Sequence, residues 1–290
     1  MNEQLSTEQI QDWNQPIPAV DTLGIIAGSR TLPFLCAEEA RSKGAKRIVA
    51  VAFEGETDPE LAKCVDEIIW LRVGQLGKMI DAFTSRNVHH CIMAGQIAPK
   101  NLFDFRPDMR TVGVLLRLKE KNAHTIFGAI GDELAKDGVQ LISAVPWLRT
   151  HMPPDGFRMG PKLTPSEEDD VQYALKTAKA IAALEIGQTV VVRDQAVLAV
   201  EGFEGTDACL ARGGELAKKK DAVGAKVSRR KHDLRFDLPC FGLRTIQTCA
   251  DHGIRVLAVE ACRSVLLDSG EAARLCQKTG VTVMAARVDE

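Results

Sequence analysis

The stretch LGIIAGSRTLPFLCAEEA, residues 23–40, decides the fold. Leu23–Ala27 read as a short buried strand that stops at Gly28, and Leu32, Leu35, Cys36 and Ala40 then recur at helical spacing. Strand, glycine turn and helix open a βα unit, and the same texture continues downstream. RIVAVA (47–52) and EIIWLRV (67–73) supply a second and a third strand, and Leu76, Met79, Ile80 and Phe83 form one apolar helical face. A fourth strand, Cys91–Ala94, again ends on a glycine, Gly95. Helical patterns over 111–120 and 125–136 precede a strand over 139–144. Such alternation predicts a parallel sheet with helices on both faces, a Rossmann-like domain over 23–144.

From 145 to 164 the periodicity fails. Pro146, Pro153, Pro154 and Pro161, with Gly156 and Gly160, are turn chemistry, and a linker is expected there. Beyond it, Ser166 is placed to cap a helix whose apolar stripe is Val171, Leu175, Ala178 and Ala182. TVVVRDQAVLAVEG (189–202) reads as a hairpin turning at Arg193-Asp194-Gln195, and the stretch from Ile254 reads strand, strand, helix, strand. A second, distinct α/β domain over 165–290 follows, so the fold class is two α/β domains.

The 290 residues suit two domains, and 45% hydrophobic with 26% charged residues excludes disorder. The net charge of −2 argues against broad nucleic-acid binding, which needs a basic field. Residues 1–22 read as a polar arm. The first twenty carry Glu3, Glu8 and Asp12 but no Lys or Arg, and lack the apolar core of a secretory signal. No run reaches the roughly 18 apolar residues of a membrane span, and a cytoplasmic location is expected. The eight cysteines are scattered without CxxC or zinc spacing, which speaks against a structural metal or a disulfide framework.

Three groups of residues could carry chemistry. The loop at Gly28-Ser29 and its counterpart at Gly95-Gln96 follow strand carboxyl ends, where doubly wound sheets bind phosphates. The loop is not GxGxxG, and a tight turn that requires Gly28 accounts for it equally well. Thr206 and Asp207, in EGTD (204–207), are typed as helix N-caps, and a cap with free N–H groups can also hold an anion. The third group lies between Lys226 and Pro239. Arg229–Lys231 read as a solvated charged face, whereas Asp237, between Phe236 and Leu238 and two positions from Arg235, reads as a buried ion pair or a positioned base.

Together, LGIIAGSRTLP (23–33), IMAGQIAPK (92–100), ALEIGQTVVVRDQAVLAVEGFEGTDACL (183–210) and LRFDLPCFG (234–242) resemble the UDP-2,3-diacylglucosamine pyrophosphatases of lipid A biosynthesis, the type unrelated to calcineurin-like phosphoesterases. The resemblance runs from about Leu23 to the C-terminus. EGTD followed some thirty residues later by RFDLP is its specific part. It implies that Asp237 is the catalytic carboxylate and that Gly28, Thr206, Asp207, Lys226 and Arg235 bind substrate; Ser29, Gly95 and Gln96 are expected beside them from their place at strand carboxyl ends. One departure stands out: similar proteins carry a second glycine in the first loop, where this chain has Ser29-Arg30.

The implied reaction is hydrolysis of UDP-2,3-diacylglucosamine to UMP and 2,3-diacylglucosamine 1-phosphate, by water at the β-phosphorus. Magnesium is implied as cofactor, with no ligand set assigned. The resemblance leaves room for peripheral contact with the inner membrane face and for a homodimer. Two other readings compete with it: a nicotinamide-dependent oxidoreductase, disfavoured by the missing GxGxxG and ribose acid, and a non-catalytic nucleotide-sugar or lipid carrier.

Overall fold

The computed structural model describes residues 16–97, 107–120, 123–229 and 233–288. Of the sequence expectations, residues 1–15 of the polar arm, 98–100 of the second motif and most of the basic run Arg229–Lys231 lie outside these residues. The chain divides into two units, Met1–Leu148 with Asp233–Leu238, and Arg149–His232 with Pro239–Glu290.

The first unit is built on a five-stranded parallel sheet. Its strands are β1 (Thr22–Ala27), β2 (Arg47–Phe53), β3 (Glu67–Leu71), β4 (His90–Ala94) and β5 (Gln140–Leu141), in the order β3-β2-β1-β4-β5. The central strands are apolar on both sides because helices cover both faces: Leu23, Ile25, Ile48 and Ile92 are fully buried. The helices are α1 (Leu32–Ser42), α2 (Leu76–Thr84), α3 (Met109–Arg117), α4 (Ala123–Lys136) and the short α5 (Val145–Leu148). The strand expected over 139–144 shrinks to two paired residues. Val139 instead turns back on α4 through its N–H to Leu134 O.

The stretch 145–164 is not the bare linker its prolines suggest. Val145, Pro146, Trp147 and Leu148 form α5 with every side chain buried, and β6 (Arg158–Met159) joins a sheet. Pro146 stands in the first turn of α5, where its missing N–H has no helical partner to lose.

The second unit holds a six-stranded mixed sheet in the order β6-β13-β11-β9-β7-β8. β9 (Ala222–Lys226), β11 (Ile254–Glu260) and β13 (Thr282–Ala286) are its parallel centre; β7 (Thr189–Arg193) and β8 (Ala196–Val200) form the expected hairpin. β10 (Cys240–Phe241) and β12 (Val265–Leu266) make a small separate pair. The hairpin turn takes left-handed conformations at Asp194 and Gln195, φ 49° and 55°. Buried Asp170 offsets that cost by accepting both turn N–H groups, at 2.9 and 2.7 Å.

Asp170 belongs to α6 (Pro165–Ala183), whose stripe of Val171, Leu175, Ala178 and Ala182 is buried as expected. Its cap is Thr164 rather than Ser166: Thr164 and Glu167 exchange side-chain and backbone hydrogen bonds in a capping box, with Pro165 at the first helical position. α7 (Thr206–Leu216), α8 (Leu243–His252) and α9 (Ser269–Thr279) complete the unit.

Candidate active site

In the first unit the order β3-β2-β1-β4-β5 reverses between β1 and β4, and the crevice beyond their carboxyl ends is where open α/β sheets bind ligands. Gly28 and Gly95 follow those two strands and touch. A Cβ on Gly28 would stand 2.6 Å from Gln96 O and 2.8 Å from Gln96 N, and one on Gly95 would stand 2.5 Å from Ser29 O. Gly95 also takes φ +91°, which few other residues adopt. The approach is held by Gly28 N–H to Ala94 O at 2.8 Å and Ser29 N–H to Gln96 O at 2.7 Å. The Ser29 hydroxyl donates to the same Gln96 oxygen at 2.7 Å, so the serine in place of a second glycine ties the two loops together.

Asp237 was expected in the second domain, but residues Asp233–Leu238 belong to the first unit. The Leu234 carbonyl accepts the Ser143 hydroxyl at 3.4 Å, just past the end of β5. The Phe236 ring meets Phe127 of α4 at 5.7 Å and packs on the same apolar cluster as Met93 and Ile97 around the end of β4. These contacts set the RFDLP element at the carboxyl edge of the sheet that also carries Gly28 and Gly95.

A buried pair with Arg235 does not describe Asp237. The residue is exposed, and the Arg235 guanidinium lies on Asp233 instead, with Nε at 2.9 Å and Nη2 at 2.6 Å. The turn over Leu234–Phe236 explains the swap. Asp233 accepts the N–H of Arg235 at 3.1 Å, and its backbone carbonyl accepts that of Asp237 at 3.2 Å, which puts Arg235 over its own turn's carboxylate. The Asp233 hydrogen bond raises the Arg235 pKa further.

In the second unit, Thr206 and Asp207 are first-turn residues of α7 rather than caps. The cap is Gly205, at φ 85°, which contributes no side chain. The Thr206 hydroxyl is a meeting point: Lys226 Nζ donates to it at 2.7 Å, Thr189 Oγ1 lies at 3.2 Å, and it donates to Glu201 at 3.3 Å. Asp207 accepts from Thr245 at 3.0 Å and pairs with Arg244 at 2.9 Å. An ammonium, a hydroxyl and the positive end of a helix therefore gather at one point, chemistry suited to a phosphate. Sequence reading missed Thr189, Glu201, Arg244 and Thr245. Glu201 stands three residues before the EGTD motif and could have been read with it; Thr189, Arg244 and Thr245 reach the cluster only through the fold.

Burial pushes the Cys91 and Cys209 thiols up to about 12, which removes thiolate chemistry there. Among the described residues no three His, Cys, Asp or Glu side chains converge on a metal position. Magnesium does not require such a cage. It keeps several waters and binds through one or two carboxylates plus substrate phosphates, and the exposed carboxylate of Asp237 fits that donor set. No helix of the described residues is long and apolar enough to cross a membrane.

A UDP-2,3-diacylglucosamine pyrophosphatase LpxI from Caulobacter vibrioides is 29% identical over 280 residues, covering 92% of this chain and 98% of that protein. Among solved structures, the biotin carboxylase domain of a thermophilic 2-oxoglutarate carboxylase aligns over 64% of this chain and 36% of its own, at 15% identity and a TM-score of 0.26, too low to carry an argument. The model of the LpxI N-terminal domain matches residues 22–151 and that of the LpxI C-terminal domain matches 154–284. The chain belongs to the LpxI family and carries both of its domains.

Proposed function

We propose that this protein hydrolyses the pyrophosphate bond of UDP-2,3-diacylglucosamine, giving UMP and 2,3-diacylglucosamine 1-phosphate in lipid A biosynthesis. The observation that carries the reading is the match of both LpxI domains together with a similar protein of that name along nearly its whole length. Water attacks the β-phosphorus, the bond from that phosphorus to the bridging oxygen breaks, and UMP leaves with the oxygen. Little covalent work falls to the protein in such a transfer, which depends on placing the water and offsetting charge.

Asp237 orients the attacking water from the carboxyl edge of the first sheet. Gly28, Ser29, Gly95 and Gln96 shape the floor of the same edge. Lys226 and Thr206 meet a phosphate oxygen in the second unit, while Asp207 holds Arg244 and Thr245 in place around them. Arg235 acts on substrate from its place on Asp233. Asp237 is the residue here that would hold magnesium, which would supply charge neutralisation at the pyrophosphate. The two acyl chains confine the substrate to a lipid surface, so the reading includes peripheral contact with the inner membrane face from the cytoplasmic side.

The test is incubation with UDP-2,3-diacylglucosamine and magnesium in ¹⁸O-water. UMP is expected unlabelled and the acylated sugar 1-phosphate labelled. Label in UMP would mean attack at the α-phosphorus. Substrate binding with no UMP released would make the protein a carrier.

A further inference from the structure

A buried ion pair lies at the carboxyl end of the second unit's central strands, outside every residue assigned above. Lys179 of α6 and Glu260, the last residue of β11, meet at 2.6 Å with side chains 12% and 7% exposed. The same carboxylate accepts the backbone N–H of Ser228 at 2.9 Å, and Lys179 Nζ donates to the Ser228 carbonyl at 3.4 Å. Ser228 itself is fully buried.

The position of this pair is informative. Regular pairing of β9 with β11 ends at Lys226, opposite Val259. Two residues further on, both backbone groups of Ser228 are taken by side chains, so Glu260 and Lys179 extend the ladder where backbone pairing has stopped. On the other side, Val227 N–H is held by Gln188 O at 2.9 Å. The two residues that follow Lys226 are thus fixed from both flanks, and Lys226 Nζ meets Thr206 at 2.7 Å. Stability alone explains such a pair poorly. Replacing both members of a buried ion pair by apolar groups of similar volume is often neutral or stabilising. Fixing a register is its better-attested use.

We propose that the Lys179–Glu260 pair is a positioning device for Lys226, setting where its ammonium meets the substrate phosphate; this rests on the phosphate-binding reading of Lys226. Glu260 and Lys179 touch no substrate and act through the backbone of Ser228.

The experiment compares steady-state kinetics and thermal unfolding of the full-length protein in three backgrounds. The double variant Lys179→Met, Glu260→Leu removes both charges and the acceptor for Ser228. It is expected to keep its melting temperature and raise KM for UDP-2,3-diacylglucosamine about tenfold, the size of one weakened charge-assisted hydrogen bond. Lys179→Met, Glu260→Gln restores a neutral acceptor for the Ser228 N–H and should bring KM back to within about threefold of wild type. In a Lys226→Met background, the Leu-containing pair should raise KM no further, because residues acting through one group are non-additive. KM within about twofold of wild type in the first double variant overturns the proposal, as does a full tenfold rise that persists without Lys226. An unchanged KM in Lys226→Met alone is a different failure, since it removes the phosphate-binding role of Lys226 itself.

Discussion

Gly28→Ala is the most direct test of the crevice between β1 and β4. The added methyl meets backbone on every side: Gln96 O at 2.6 Å, Gln96 N at 2.8 Å and the Gly95 carbonyl carbon at 2.9 Å. No side chain can rotate away, so the two loops must part. Overpacking of a tight site costs about 1–3 kcal/mol. Parting the loops also stretches the two bonds from Ser29 to Gln96 O, each worth about 0.5–1.5 kcal/mol net. At about 2–4 °C per kcal/mol for a unit of this size, the first unit's melting transition should fall by roughly 4–24 °C. Differential scanning calorimetry reads it, with Ser29→Ala as the milder companion at roughly 1–6 °C because only the hydroxyl bond is lost. A Gly28→Ala protein melting within about 2 °C of wild type would refute the backbone-contact argument.

Asp237→Ala should lower kcat by at least about a hundredfold and leave KM within about threefold, because an exposed carboxylate acting in the transition state contributes little to ground-state binding; a variant keeping a tenth of kcat would remove Asp237 from the chemistry. Phe127→Ala withdraws the ring on which Phe236 rests and should lower kcat about tenfold although it contacts no substrate, whereas unchanged kcat would show that the Phe127–Phe236 contact does not place Asp237. Hydrogen bonding from Arg212, then from the backbone of Glu204 and Gly202, pulls the Glu204 pKa down to about 2 from the ordinary 4.5. A depressed folded pKa means that this contribution to stability is fully present above pH 4.5 and is lost as the pH falls toward 2. Acid unfolding of Glu204→Gln should therefore be flatter than wild type in that window, and identical slopes would sink the assignment.

Much of the first unit could be read from the chain because its signals are local. A glycine after each of two apolar runs marks β1 and β4, and helical spacing after Gly28 marks α1. Thr206 with Asp207 was legible as the start of α7, to within one residue. The place of Asp237 was not. What fixes it is Phe127, more than a hundred residues earlier, and a hydroxyl at Ser143, and no periodicity in Leu234–Leu238 encodes either partner. The stretch 145–164 misled for a similar reason. Proline and glycine density reads as loop, yet Trp147 and Leu148 are buried by tertiary contacts that local propensity does not see.

The same loop geometry bears on the nicotinamide reading of this sheet. A dinucleotide fold offers pyrophosphate the free N–H groups of its first turn and of the helix that follows. Here Gly28 gives its N–H to Ala94 and Ser29 gives its own to Gln96, while Phe34 and Leu35 at the start of α1 donate to Thr31 O. Pro33 has none to give. Glu54, the acidic residue directly after β2, is held by Arg72 at 3.0 Å rather than left for a ribose. Two of this loop's backbone donors, Gly28 and Ser29, are thus spent on the neighbouring strand end. Together with the missing GxGxxG, these engagements weigh against the dinucleotide reading of the first sheet.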